Sequence, residues 1–195
     1  MTVNASWQFQ ADKTQNWAHM NNLFTPEECA QIITIGNSKL EEAKIVGSQM
    51  AKLTNKGVRE SQVSWLYSSD IEFAFRRVTD GILNINSQFF NFDLFGLAEG
   101  FQFTRYDAPT GHYGMHIDKI FNSTVRKLSL TIQLSSPDDY EGGELALKFG
   151  TKADLMPKDL GKMVVFPSYV LHEVRPVTKG TRYSLVAWVT GKPFK

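Results

Sequence analysis

Past Gly100 the apolar residues of this chain change period, and that change restricts its fold more than any other feature. Leu128, Leu130, Ile132 and Leu134 alternate with Lys127, Ser129, Thr131 and Gln133, a repeat of two that gives a strand one apolar and one polar face. The same arithmetic over residues 181–189 puts Arg182, Ser184, Val186 and Trp188 on one face and Tyr183, Leu185, Ala187 and Val189 on the other. Further strands are predicted at residues 101–106, 144–149, 163–166 and Leu171–Val174, with Gly and Pro between them. Many short strands joined by turns describe a sandwich or jelly roll.

Before Gly100 the period is helical. Thr25-Pro26-Glu27-Glu28 is a helix start, with a capping hydroxyl, Pro at the first helical position and acids in the first turn. Cys29, Ile32, Ile33 and Leu40 supply an apolar stripe, which predicts a helix over residues 26–43. Ser69-Asp70-Ile71-Glu72 opens a second, in which Ile71, Phe75, Val78, Ile82, Ile85 and Phe89 recur every three or four residues as a core face. Residues 47–60 between them are polar, with Lys52, Asn55, Lys56, Gly57 and Arg59, and read as a loop and a candidate lid.

A chain of 195 residues, 42% hydrophobic and 12% aromatic, suffices for one domain with a substantial core. Net charge is +1 and no block of like charge appears, so neither nucleic acid nor an acidic membrane surface is expected as a partner. The lone Cys29 excludes an intrachain disulfide and fits a reducing compartment. Residues 1–13 lack the basic and apolar regions of a secretory leader, and no apolar run approaches a membrane span. A cytoplasmic protein is expected, of unread oligomeric state.

The chemistry concentrates in His116, Asp118 and His172. Two imidazoles and a carboxylate form the facial triad that holds non-haem Fe(II) and leaves positions open for substrate and O2. His172 sits in the apolar run Val170-Leu171-His172-Glu173-Val174, and Arg182 follows ten residues later. A guanidinium there can grip a distal carboxylate through a bidentate fork. The constellation suggests a 2-oxoglutarate-dependent oxygenase. The bland alternative makes His172 a hydrogen-bonded core histidine and Arg182 a surface cation.

A zinc reading would use His112 and His116, four residues apart, but Gly111, Gly114 and the absence of a glutamate after His112 oppose both a helix and a protease mechanism. His112 is then expected in a loop at the pocket mouth, and His19 either on the surface or as a histidine with its hydrogen bonds satisfied. With three protein ligands, 2-oxoglutarate can take two open positions on iron, leaving one for O2. Succinate and CO2 would leave, and an unactivated C–H bond would be oxidised. The protein's tasks are then orientation and exclusion of water. Asp118, where a Gly or Ala would make room for a halide, favours hydroxylation.

Phe103-Thr104-Arg105-Tyr106-Asp107-Ala108-Pro109-Thr110-Gly111-His112-Tyr113-Gly114-Met115-His116-Ile117-Asp118, Arg126-Lys127-Leu128-Ser129-Leu130-Thr131, Tyr140-Glu141-Gly142-Gly143-Glu144-Leu145, Phe166-Pro167-Ser168 and Thr178-Lys179-Gly180-Thr181-Arg182-Tyr183-Ser184-Leu185 follow one another in order. Together they resemble the catalytic domain of the prolyl-4-hydroxylase-like Fe(II)/2-oxoglutarate oxygenases, closest to the small microbial and phage members, over roughly residues 100–189. The resemblance implies a mainly β fold, a double-stranded β-helix core with N-terminal helices packed outside. It divides the single domain, residues 1–195, into a helical support region (1–99) and a catalytic core (100–190).

The resemblance also implies residue roles. His116, Asp118 and His172 would hold iron, and Arg182 the distal carboxylate of 2-oxoglutarate, with Tyr106, Thr131, Gln133 and Ser184 around the co-substrate. Arg126 and Trp188 match positions that contact peptide substrate, and Tyr113 is either pocket wall or packing. Ascorbate is the implied reductant. Collagen-type members carry Lys where this chain has Arg182, which disfavours a collagen-like substrate. A prolyl residue in a protein or peptide is the expected substrate. A free amino acid or other small molecule stays open, as does a jelly-roll module that holds metal without turnover.

Overall fold

The computed structural model describes residues 15–42, 57–97, 99–118 and 125–193. In chain order the elements are β1 (Ala18–Met20), α1 (Pro26–Asn37), β2 (Glu41–Glu42), β3 (Arg59–Glu60), β4 (Gln62–Leu66) and α2 (Ser68–Ile85). A π-helical turn (Asn86–Phe90) extends α2, and β5 (Leu94–Leu97), β6 (Phe101–Asp107), β7 (His112–His116) and β8 (Arg126–Gln133) follow. The rest are β9 (Tyr140–Gly142), β10 (Leu145–Lys148), β11 (Ala153–Leu155), β12 (Met163–Pro167), β13 (Leu171–Val174) and β14 (Val177–Gly191).

The strands form two antiparallel sheets. The larger, nine-stranded, runs β1-β12-β8-β14-β6-β4-β2, with β5 and β9 also paired to the long β14. The smaller, five-stranded, runs β11-β10-β13-β7-β3. One core cluster joins Ile32 of α1 and Ile71, Val78 and Ile82 of α2 to Phe103, Leu130 and Leu185 of the larger sheet. A second joins both sheets through Tyr106, Leu145, Leu147, Phe166 and Val174. The helices therefore cover the outer face of the larger sheet, and the space between the sheets is left for a site.

α1 starts as its capping residues predict. Thr25 Oγ1 accepts from the Glu28 N–H at 3.3 Å while the Thr25 N–H donates to Glu28 Oε2 at 2.9 Å, a reciprocal pair that satisfies two otherwise orphaned donors. It ends at Asn37, not at residue 43. Gly36, Asn37 and Ser38 are weak helix formers, and the Ser38 hydroxyl turns back to Ile35 O at 2.8 Å. Leu40 reaches the core from extended chain instead, leading into β2, which pairs with β4. Gly36 itself is buried against Phe103, where a methyl group would overlap the ring. Cys29 is buried in the same cluster, which pushes its thiol up to about 11.

The polar side of β8 faces the second sheet, which buries Ser129 and Gln133, and one expectation about that face needs correction. Lys127 does not share that face. Val189 pairs with Leu128 but Thr190 with Arg126, so one extra residue bulges β8 at Lys127. Lys127 then lies 5.2 Å from the Phe92 ring on the helical side, and Arg126 stacks 3.9 Å from Trp188 on the inner side. The first 99 residues also supply more than helices, since β1 to β5 are all in that span.

Candidate metal centre and active-site pocket

β7 ends on His116, Asp118 follows two residues on, and His172 lies in β13 directly opposite His116 in the ladder. The ligand atoms of His116, Asp118 and His172 all lie within 4.8 Å of one another. His116 Nε2 is 3.8 Å from Asp118 Oδ1, and His172 Nε2 is 3.4 Å from Asp118 Oδ2. These spacings are long for hydrogen bonds and suit a cation held between them. Each imidazole is oriented from behind: His116 Nδ1 meets Gly114 O at 2.7 Å and His172 Nδ1 meets Val170 O at 2.9 Å. A carbonyl can only accept, so Nδ1 carries the proton and Nε2 presents its lone pair to the centre.

Burial, then the neighbouring His172, push the His116 imidazole down to about 4, which keeps it in the neutral form that ligates metal. Tyr113 stacks on His116 with ring centroids 3.6 Å apart. Asp118 is held by the Ser129 hydroxyl on Oδ2 at 2.7 Å and by its own N–H to Ser168 O at 3.0 Å. The donor set, its tautomers and its convergence fit a divalent transition metal with open positions.

The triad lines a cavity of about 480 Å³ between the sheets, whose walls include Tyr106, Thr131, Tyr113, Arg126, Val186 and Trp188. Arg182 does not line that cavity. It is 2% exposed and lines an adjoining recess with Gln133, Tyr140 and Lys158, and the two spaces share Thr131 and Leu145. Arg182 Nη1 donates to Ser184 Oγ at 3.4 Å, and its guanidinium carbon is 5.4 Å from the Tyr106 ring centroid. Gln133 Nε2 donates to Tyr140 Oη at 2.6 Å. The turn between β9 and β10 makes room for this group. Gly143 has φ +62°, and a Cβ there would come within 3.0 Å of Arg182 Cδ.

The family model described as the 2OG-Fe(II) oxygenase superfamily matches residues 101–190, the span that holds the triad and Arg182. A PKHD-type hydroxylase of Prochlorococcus marinus (strain MIT 9211) is 32% identical over 177 residues, which span 87% of this chain and 76% of that relative. The chain belongs to the 2OG-Fe(II) oxygenase superfamily. Its fold is similar to that of a Trichoplax adhaerens prolyl hydroxylase solved with a hypoxia inducible factor peptide fragment, at TM-score 0.76 and 18% identity over 91% of this chain and 84% of that one. A Pseudomonas putida prolyl-4-hydroxylase follows at TM-score 0.70 and 20% identity, over 92% and 95%. As a superfamily member it is a dioxygenase, for which Fe(II), 2-oxoglutarate and O2 are the implied partners.

Around the oxygenase centre the structure adds residues that the linear pattern did not single out. Arg59, placed by the sequence in a polar loop over 47–60, is in β3 and pairs with Tyr113 of β7. Residues 47–56 of the candidate lid lie outside the described residues. Trp65 of β4 and Gln102 of β6 join the cavity wall, and Glu99 pairs with Arg126 at 2.7 Å. For Trp65 the five-residue strand pattern of Gln62–Leu66 was the available signal. His112 is the first residue of β7, paired with Glu60, and is not part of the cavity wall. His19 is exposed on β1, the first of its two expected settings. Among the described residues, no helix is long and apolar enough to cross a membrane.

Proposed function

We propose that this oxygenase hydroxylates an unactivated C–H bond of a prolyl residue in a protein or peptide, consuming 2-oxoglutarate and O2 and releasing succinate and CO2. The observation that carries the reading is the convergence of the His116, Asp118 and His172 ligand atoms within 4.8 Å at the wall of a cavity that adjoins the buried Arg182. The names of the relatives and fold neighbours, PKHD-type hydroxylase and prolyl hydroxylase, favour a prolyl substrate.

In this reading His116, Asp118 and His172 hold Fe(II), which when bound supplies the centre where 2-oxoglutarate is oxidatively decarboxylated with O2. Arg182 holds the distal carboxylate through charge-assisted hydrogen bonds. Ser184 steadies Arg182, and Thr131, Gln133 and Tyr106 complete the co-substrate's surroundings. Tyr113, Arg126 and Trp188 orient the substrate and exclude water from the reacting C–H bond. Ascorbate is assigned the part of reductant that keeps the iron ferrous.

The test is succinate formation with Fe(II), 2-oxoglutarate and ascorbate, coupled to a mass-spectrometric search for a one-oxygen gain on prolyl peptides and on small molecules of the host. His116→Ala, Asp118→Ala and His172→Ala should each abolish succinate formation while the protein stays folded by circular dichroism. Near-normal turnover in any of the three would remove that residue from the centre. An oxygen gain confined to a free amino acid would replace the prolyl-peptide assignment.

A further inference from the structure

Arg59 is a buried charge with no counter-charge among the described residues. It sits on the cavity wall at 9% exposure, and its hydrogen bonds among the described residues go to neutral groups, Nε to Ser61 Oγ at 2.7 Å and Nη2 to Gln102 Oε1 at 3.0 Å. Its guanidinium carbon lies 4.5 Å from the centroid of the Tyr113 ring. The other arginine of the cavity, Arg126, already has Glu99 at 2.7 Å, and Asp118 faces the two imidazoles.

A guanidinium keeps its proton in a protein and carries five donors, and a buried cation without a partner is destabilising. A second donor on the same wall is also unmatched. Trp188 is 8% exposed, and its Nε1 has no hydrogen-bond partner among the described residues. Among the described residues, Arg59 meets no carboxylate and Trp188 Nε1 meets no acceptor.

We propose that the cavity takes an acidic peptide, with a Glu or Asp carboxylate near the hydroxylated residue bound by Arg59 and a carbonyl of the peptide accepting from Trp188 Nε1. One guanidinium matches one carboxylate in charge and in planar geometry, and the Tyr113 face keeps it from turning away. The proposal names the substrate class for the peptide hydroxylase reading above and rests on it.

Three blocked pentapeptides, acetyl-X-X-Pro-X-X-amide with X as Glu, Gln or Lys, would be titrated into protein loaded with redox-inert Mn(II) and 2-oxoglutarate at physiological salt. Fluorescence of Trp65 and Trp188 reports binding, and calorimetry on the same samples reports 2-oxoglutarate. The Glu peptide should bind roughly tenfold tighter than the Gln peptide, as one charge-assisted hydrogen bond implies, and the Lys peptide more weakly than both. Arg59→Gln should bring the Glu peptide to the affinity of the Gln peptide, while Arg59→Lys should keep part of the gap. Equal affinity for Glu and Gln, no binding by any peptide, or a preference that survives Arg59→Gln would overturn the proposal. If 2-oxoglutarate itself fails to bind, the hydroxylase reading falls with it; if 2-oxoglutarate binds and Glu and Gln do not differ, only the acidic substrate falls.

Discussion

The Ser129 hydroxyl donates to Asp118 Oδ2 at 2.7 Å, tying the middle of β8 in one sheet to the carboxylate that follows β7 in the other. Ser129 also meets Ser168 Oγ at 2.9 Å, so the carboxylate is oriented by a chain of hydroxyls. Ser129→Ala should weaken Mn(II) or Co(II) binding by about tenfold, the usual scale for losing a group that orients a ligand. Isothermal titration on the apoprotein checks this, and an unchanged metal affinity would show that the backbone alone positions Asp118.

The Arg182 recess predicts a separation between co-substrate and metal. Arg182→Ala should weaken 2-oxoglutarate binding by about 2 to 3 kcal/mol, on the order of a hundredfold in Kd, with metal affinity nearly intact. Lysine should recover only part, since it lacks the planar fork. Gly143→Ala should act in the same direction by several-fold, because φ +62° is strained for alanine and the new methyl would crowd Arg182 Cδ. Calorimetric titration of 2-oxoglutarate against the Mn(II)-loaded variants reads all three.

Gly36→Ala should destabilise the fold by about 1 to 3 kcal/mol, the cost of forcing a methyl group into a filled core. Alanine favours helix over glycine, so propensity alone would predict a gain. Urea unfolding decides which effect wins, and a stabilised variant would mean that Phe103 moves aside without cost.

Glu28 accepts from the Thr25 N–H and pairs with Arg77, and the Arg77 hydrogen bond is the main cause holding its carboxyl below the ordinary value. A carboxylate lowered on folding contributes stability above its unfolded value, near 4.5, and loses it as pH falls through the lowered folded value. Glu28→Gln should therefore cost about 1 kcal/mol at pH 7 and nothing once wild-type Glu28 is protonated. The gap in urea midpoint between the two proteins should be widest at pH 7 and close progressively as pH falls below 4.5 and through the lowered folded value.

The triad and Arg182 were legible because their chemistry depends on residue types that few other roles require, and because β14 alternates cleanly enough to put Arg182 and Trp188 on one face. The partners across strands were not. Arg59 meets Tyr113, and Glu99 meets Arg126, only through pairings between distant segments, and nothing local in a polar stretch marks an arginine for burial. The end of α1 was missed because Leu40 suits the core from either helix or extended chain. The bulge at Lys127 was invisible because Lys127 fits the alternating pattern that the structure breaks.

That bulge divides β8 into two lengths with separate obligations. Ser129, Thr131 and Gln133 keep their register with β14, and Ser129 keeps its bond to Asp118, whereas the stretch before them is offset by one residue. Removing a residue there would rotate Arg126 away from Trp188 and leave Glu99 without its partner, with no ligand of the centre displaced. A single-codon deletion at this point would thus exchange one wall of the cavity for another while the bond from Ser129 to Asp118 stays in register.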